Sequence, residues 1–233
     1  FDELELHNIR LRNENQLNEE QKSWLRDFYY DKLNGSTNPI WLNEIKNLNS
    51  LEDNRIYLVV EMTEEGEKKP KCAVIKVPDK VYGRFVKIPS SEGFDNIMYL
   101  DDVVRYCLPL IFIGFKKSTY RAYSFKFTKD AEMEMDNDAD FGTMEKIALG
   151  VNSRKKGEAV RVIYDQEMPK ELQKKLRERL NTKELDASLA GGRYQNHKDL
   201  MSFPDCGHKE LKYEKWAPIM KPEFLSNESI LDQ

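Results

Sequence analysis

The sequence predicts an α+β fold, with a mainly antiparallel or mixed sheet packed with amphipathic helices. Three observations lead there. Segments of helical and strand period follow one another in the order helix, strands, helix, strand, helix, strand, helix. No repeat or low-complexity linker divides the chain. Its 233 residues suffice for one large domain or two small ones.

The first helix opens at Asn18-Glu19-Glu20-Gln21, a capping box with Asn18 as N-cap. Trp24, Leu25 and Phe28 share a face, Leu33 lies near the end, and Asn34-Gly35 stops the helix. Arg55–Met62 and Lys71–Val77 read as strands joined by a charged hairpin loop containing Glu64, Glu65, Gly66 and Glu67. Arg84–Ile88 reads as a third, short strand closed by Pro89. Leu100–Phe115 returns to helical period, with Asp101 and Asp102 suited to the positive end of a helix dipole. Pro109 removes a helical hydrogen bond, so this helix is expected bent or in two pieces.

Tyr120–Thr128 alternates, with Tyr123, Phe125 and Phe127 on one face, and is the clearest strand. An acidic stretch, Asp130–Asp140, follows, then a short helix near Thr143–Leu149 and a basic turn at Asn152–Gly157. Ala159–Tyr164 reads as a strand. Met168–Leu180 reads as a helix with Pro169 at N1 and Leu172, Leu176 and Leu180 on one face. Gly191-Gly192 marks a turn, Lys198–Phe203 a short helix ended by Pro204, and the chain after Trp216 an extended tail.

Composition narrows the function. Hydrophobic residues are 39% and charged residues 33%, as in a soluble globular chain. No apolar run approaches a membrane span. The acidic start Phe1–Leu6 is unlike a signal peptide, and Phe1 in place of Met predicts a start inside a longer gene product or a trimmed chain. A net charge of −4 and a pI of about 5.6 argue against nucleic-acid binding. Cys72, Cys107 and Cys206 form no CxxC, which fits a reducing compartment, expected to be the cytoplasm.

Motifs for chemistry are sparse. Asp136, Asp138 and Asp140 have the spacing that opens a calcium loop, but Phe141 and Ile147 stand where that loop needs Gly and Glu. His197, Cys206 and His208 are one ligand short of a structural zinc set, so zinc is not expected. Nucleophile elbow, phosphate loop and dinucleotide fingerprint are all absent. Cys107 reads as a small core residue. Arg193, Lys198 and the run Arg154-Lys155-Lys156 could hold phosphate, with Gly191-Gly192 offering backbone amides, but a glycine turn beside ordinary surface charge is the favoured reading. These residues by themselves say α+β domain and no more.

Two longer stretches say more. Tyr99–Glu132 (YLDDVVRYCLPLIFIGFKKSTYRAYSFKFTKDAE) and Ala159–Phe203, with VRVIYDQEMPKELQKKLRERL and LAGGRYQNHKDLMSFP, resemble the head (middle) domain of the bacterial polyphosphate kinases that make long-chain polyphosphate from ATP. Supporting pieces match in order: Leu17–Leu33 to the opening helix, Asn38-Pro39-Ile40 to a Thr-Pro-Ile-type turn, Val77-Pro78 and Arg84–Pro89 to a strand pair, Phe127–Glu132 to a strand end, and Gly191–Tyr194 to a GGRY segment. Pro109 and the Asp138–Gly142 loop depart from the pattern.

The resemblance implies a parent enzyme that reversibly transfers the ATP γ-phosphate to polyphosphate through a phosphohistidine, with ATP and magnesium bound in other domains. It implies no catalytic, cofactor-binding or metal residue in this chain. It further implies a structural role, inactivity alone, a homo-oligomeric parent, and the parent's other domains as partners, with polyphosphate as a second candidate. The expected organisation is a helical lead-in over 1–50, an α+β head-domain core over 51–225 and a tail over 226–233. The glycines of GGRY are expected to meet a backbone requirement. The alternative is a freestanding module of the same fold that binds a partner protein or polyanion.

Overall fold

The computed structural model describes residues 2–46, 50–115, 117–129, 159–180, 187–214 and 216–217. Its elements are α1 (Asp2–Glu5), β1 (Ile9–Arg12), α2 (Glu19–Phe28), β2 (Ile40–Trp41), β3 (Ile56–Glu64), β4 (Lys71–Lys76), α3 (Asp79–Tyr82), β5 (Phe85–Ser91), β6 (Phe94–Tyr99), α4 (Leu100–Tyr106), α5 (Leu108–Ile111), β7 (Ser118–Lys129), β8 (Ala159–Asp165), α6 (Lys170–Leu180) and β9 (Ala187–Gly191). Two short 3-10 turns, His197–Ser202 and Lys209–Leu211, follow.

A six-stranded sheet runs β2-β4-β3-β7-β8-β9 and a three-stranded sheet runs β1-β6-β5. The pairs β1–β6 and β8–β9 are parallel and the others antiparallel. The fold is therefore α+β with mixed sheets, as expected. The first 50 residues also supply a strand to each sheet, β1 and β2, in addition to their helices.

Strand β3 explains the architecture. It lies at the centre and is apolar on both faces, so its sequence is a continuous run rather than an alternation. Ile56, Leu58, Val60 and Met62 pack with Leu25, Tyr29 and Leu33 and with Val86, Met98, Val103 and Phe112. Tyr57 and Val59 face the other way, onto Phe125 and Phe127 and then Leu172, Leu176 and Leu180 of α6. Register places Tyr57 opposite Phe125, and the two rings stack at 5.4 Å.

Local chemistry sets the boundaries. Asn18 accepts from the Gln21 amide and Gln21 reaches back to the Asn18 amide, the reciprocal cap expected from the sequence. A π-helical turn, Tyr29–Leu33, extends α2, and Gly35 leaves it at φ +87°. The segment after β6 does break in two. Cys107 joins α4 to α5, and Pro109 falls in the first turn of α5, where a missing N–H costs nothing.

Two points differ from the sequence reading, and others fall outside the described residues. Strand β5 does not stop at Ile88. It continues past Pro89 to Ser91 with a register shift, which an edge strand tolerates. Strands β1, β2, β6 and β9 were not anticipated. Strand β6 follows a two-residue hairpin turn in which Glu92 and Gly93 both take positive φ, the geometry of a type I′ turn. The acidic stretch 130–140, the helix near 143–149, the basic turn at 152–157 and nearly all of the tail lie outside the described residues.

Candidate functional site

Strand β6 runs straight into α4, so Asp101 and Asp102 occupy the first helical turn. Both are fully buried, whereas the sequence suggested ordinary helix-start charges. Burying two adjacent carboxylates is costly unless each is paired. Three arginines supply the pairing.

Arg84, just before β5, holds Asp101 with both terminal nitrogens, its Nη2 at 2.8 Å from Oδ2. The same Nη2 donates to the Gln195 carbonyl at 3.2 Å, and Nε lies 3.4 Å from Asp199. Asp102 Oδ1 accepts from Arg105 at 2.7 Å and from Arg193 at 2.8 Å. Its Oδ2 accepts from the Tyr194 hydroxyl at 2.6 Å. Arg193 also reaches Glu14 at 2.6 and 2.8 Å, and its carbonyl accepts from the buried Ser124 hydroxyl at 2.6 Å. The Tyr194 ring stacks on Tyr99 at 3.9 Å.

Electrostatics follow the geometry. Burial pushes the Asp101 carboxyl upward against the pull of Arg84 and Arg105. Burial also raises the Tyr194 phenol, with Asp102 adding to the rise, so Tyr194 remains a hydrogen-bond donor. Burial works against the charge of Arg193, but Asp102 and Glu14 overcome it and hold the guanidinium charged. Each carboxylate in the cluster is matched by guanidinium, which makes a fastening rather than an acid–base or nucleophilic site.

The Gly191-Gly192 turn delivers Arg193 and Tyr194 to this cluster. Neither glycine takes a positive φ, so a left-handed backbone is not the reason for them. Gly191 is needed for space, since a Cβ there would sit 2.8 Å from Ile163 Cγ2. At Gly192 the nearest atom to such a Cβ is 4.0 Å away.

The sequence candidates are thus separated. Arg193 is half-buried and tied to Glu14 and Asp102, while Lys198 is exposed on the 3-10 turn. Arg154, Lys155 and Lys156 lie outside the described residues. His197, Cys206 and His208 do not converge: Cys206 contacts Asp95, and His208 instead meets His7 and Glu210. Asp101 and Asp102 were visible in the sequence as residues, but not as a site. Their partners lie up to 92 residues away, and only the apolar surroundings Val103-Val104 hinted at burial.

A separate open cleft of about 640 Å³ is lined by Trp41, Phe115, Lys71, Cys72, Lys175 and Arg179, among others. Lys71 there is already paired with Glu64 at 2.5 Å. Among the described residues, no helix is long and apolar enough to cross a membrane.

Comparison with known proteins matches this fold to a family. The polyphosphate kinase middle-domain model matches residues 20–203. The polyphosphate kinase of Vibrio parahaemolyticus is 32% identical over 226 residues, covering 95% of this chain and 32% of that protein. The polyphosphate kinase of Escherichia coli K12 is 34% identical over 213 residues, covering 90% of this chain and 31% of that protein. The crystal structure of polyphosphate kinase from Porphyromonas gingivalis has the same fold, with a TM-score of 0.70 at 22% identity over 99% of this chain and 32% of that one. The chain thus spans about a third of the length of its curated relatives. By the extent of the family match and by its fold, the chain belongs to the polyphosphate kinase middle-domain family.

Proposed function

We propose that this chain acts as the structural head domain of a polyphosphate kinase. In this reading the parent enzyme reversibly transfers the ATP γ-phosphate to polyphosphate through a phosphohistidine held in other domains. The head domain shapes and associates subunits in the cytoplasm and is inactive alone. One observation carries the reading. The charged cluster that includes Arg193 of the GGRY segment is consumed by internal pairing among Arg84, Asp101, Asp102, Arg105, Arg193 and Glu14.

ATP and magnesium belong to the other domains on this reading. The buried carboxylates present here do not suit magnesium, which takes oxygen ligands and keeps much of its water, because Asp101 and Asp102 are closed off by arginine. The exposed Lys198 and the run Arg154-Lys155-Lys156 are assigned to contacts with adjoining domains rather than to polyphosphate.

The gene itself gives a test. Reading past Gln233 into phospholipase D-like sequence carrying a histidine motif supports the head-domain reading. A stop codon there overturns it in favour of a freestanding binding module.

A further inference from the structure

His7 lies in the turn between α1 and β1, and His208 lies in the loop before the last 3-10 turn. The two come from opposite ends of the described chain. Their rings meet edge to face at 5.9 Å, and His208 Nδ1 is 2.7 Å from Glu210 Oε1. One ligand atom from each of His7, His208 and Glu210 lies within 4.8 Å of the other two. Among the described residues, this is the one group of three or more His, Cys, Asp or Glu gathered so closely.

The surroundings hold the two loops in place. The Asp95 amide donates to the Asn8 carbonyl at 2.8 Å, and the Asp95 carboxylate meets Cys206. Asp95 in β6 therefore anchors the residue after His7 and a residue two before His208. The two imidazoles are partly buried, while Glu210 is more exposed.

Two imidazoles and one carboxylate, with a fourth position open to water, suit a zinc-class ion. Such ligands sit about 2.0–2.2 Å from the metal, so the three side chains must draw together around the ion. Magnesium prefers oxygen ligands and is a poor match. We propose that His7, His208 and Glu210 bind a divalent ion of the zinc class and clip the α1–β1 turn to the loop around residues 205–210.

The 233-residue chain has only three histidines, so each imidazole is identifiable by NMR. Zinc is titrated into the chain while the imidazole nitrogens are followed. The expected result is shifts at His7 and His208, saturating at one equivalent, with His197 unmoved. Replacing an inner ligand costs at least about tenfold in affinity, so His7→Ala is expected to weaken binding by that much or more. Absence of shifts, shifts centred on His197, equal shifts with magnesium, or unchanged affinity in His7→Ala each overturns the proposal. The titration of the unmodified chain stands even if His7→Ala fails to fold.

Discussion

The Tyr194 hydroxyl donates to Asp102 at 2.6 Å across 92 residues of sequence. This contact fastens the segment after β9 to the first turn of α4. Because Arg193 joins the same carboxylate, two successive side chains of one turn depend on a single buried Asp. Asp102 thus holds the turn through its side chains, while Ser124 holds it through the Arg193 carbonyl.

Asp102→Ala should be among the most damaging single changes in the domain. It leaves Arg105 buried without its carboxylate, takes one of two carboxylates from Arg193 and removes the partner of the Tyr194 hydroxyl. Breaking a buried pair on one side costs about 3–5 kcal/mol. Urea unfolding checks this, and a loss below about 1 kcal/mol would rule out a fastening role.

Adjacent glycines should respond differently. Gly191→Ala places a Cβ against the β-branched Ile163, so β8 and β9 must shift. Overpacking of this kind costs about 1–3 kcal/mol. Gly192→Ala meets no close atom and should fall within about 0.5 kcal/mol of the parent sequence. Thermal melts of the two variants make the comparison.

Thiol reactivity should divide the cysteines. Cys107 is fully buried, and burial pushes its thiol up to about 12. Cys72 and Cys206 are partly exposed, with thiols raised by burial as well. A chromogenic disulfide reagent at mildly alkaline pH should titrate Cys72 and Cys206 in the native protein and Cys107 only after unfolding. Rapid native labelling of Cys107 would contradict its place in the core.

Asp95 gives a pH prediction. The Lys87 ammonium holds its carboxyl below the usual 3.8; burial opposes it, and the Ser90 hydroxyl adds a smaller pull downward. A carboxyl lowered on folding adds stability above its unfolded value, and that contribution is lost as pH falls through the folded value. Stability should therefore drop on acidification below about pH 4, and Asp95→Asn should flatten part of that drop. Denaturant midpoints measured from neutral pH to pH 3 test it, and parallel curves for the two proteins would refute the assignment.

Much of the fold was legible because its signals are local. The Asn18–Gln21 box, the alternation of Tyr123, Phe125 and Phe127, and the leucine stripe of α6 each lie within one element. Among the missed strands, β1 and β9 depend on a partner elsewhere in the chain, whereas β6 hangs on the Glu92-Gly93 hairpin turn. The short IRLR of β1 becomes a strand only by pairing with β6, and β9 is built of small residues that need β8 beside them. The charged cluster failed for the same reason. Asp101 and Asp102 look like solvated helix-start acids until Arg84 and Arg193 arrive from elsewhere in the chain. The separate approach of His7 and His208 was equally invisible, since nothing in sequence links the two turns.

The central claim is that this domain contributes structure and not phosphoryl transfer. Incubating the chain with γ-labelled ATP and magnesium tests it most directly, followed by assays for acid-labile phosphate on the protein and for polyphosphate in solution. Neither label nor polymer is expected. Stable label on His7, His197 or His208, or polymer formed by the chain alone, would contradict it and make this domain an enzyme in its own right.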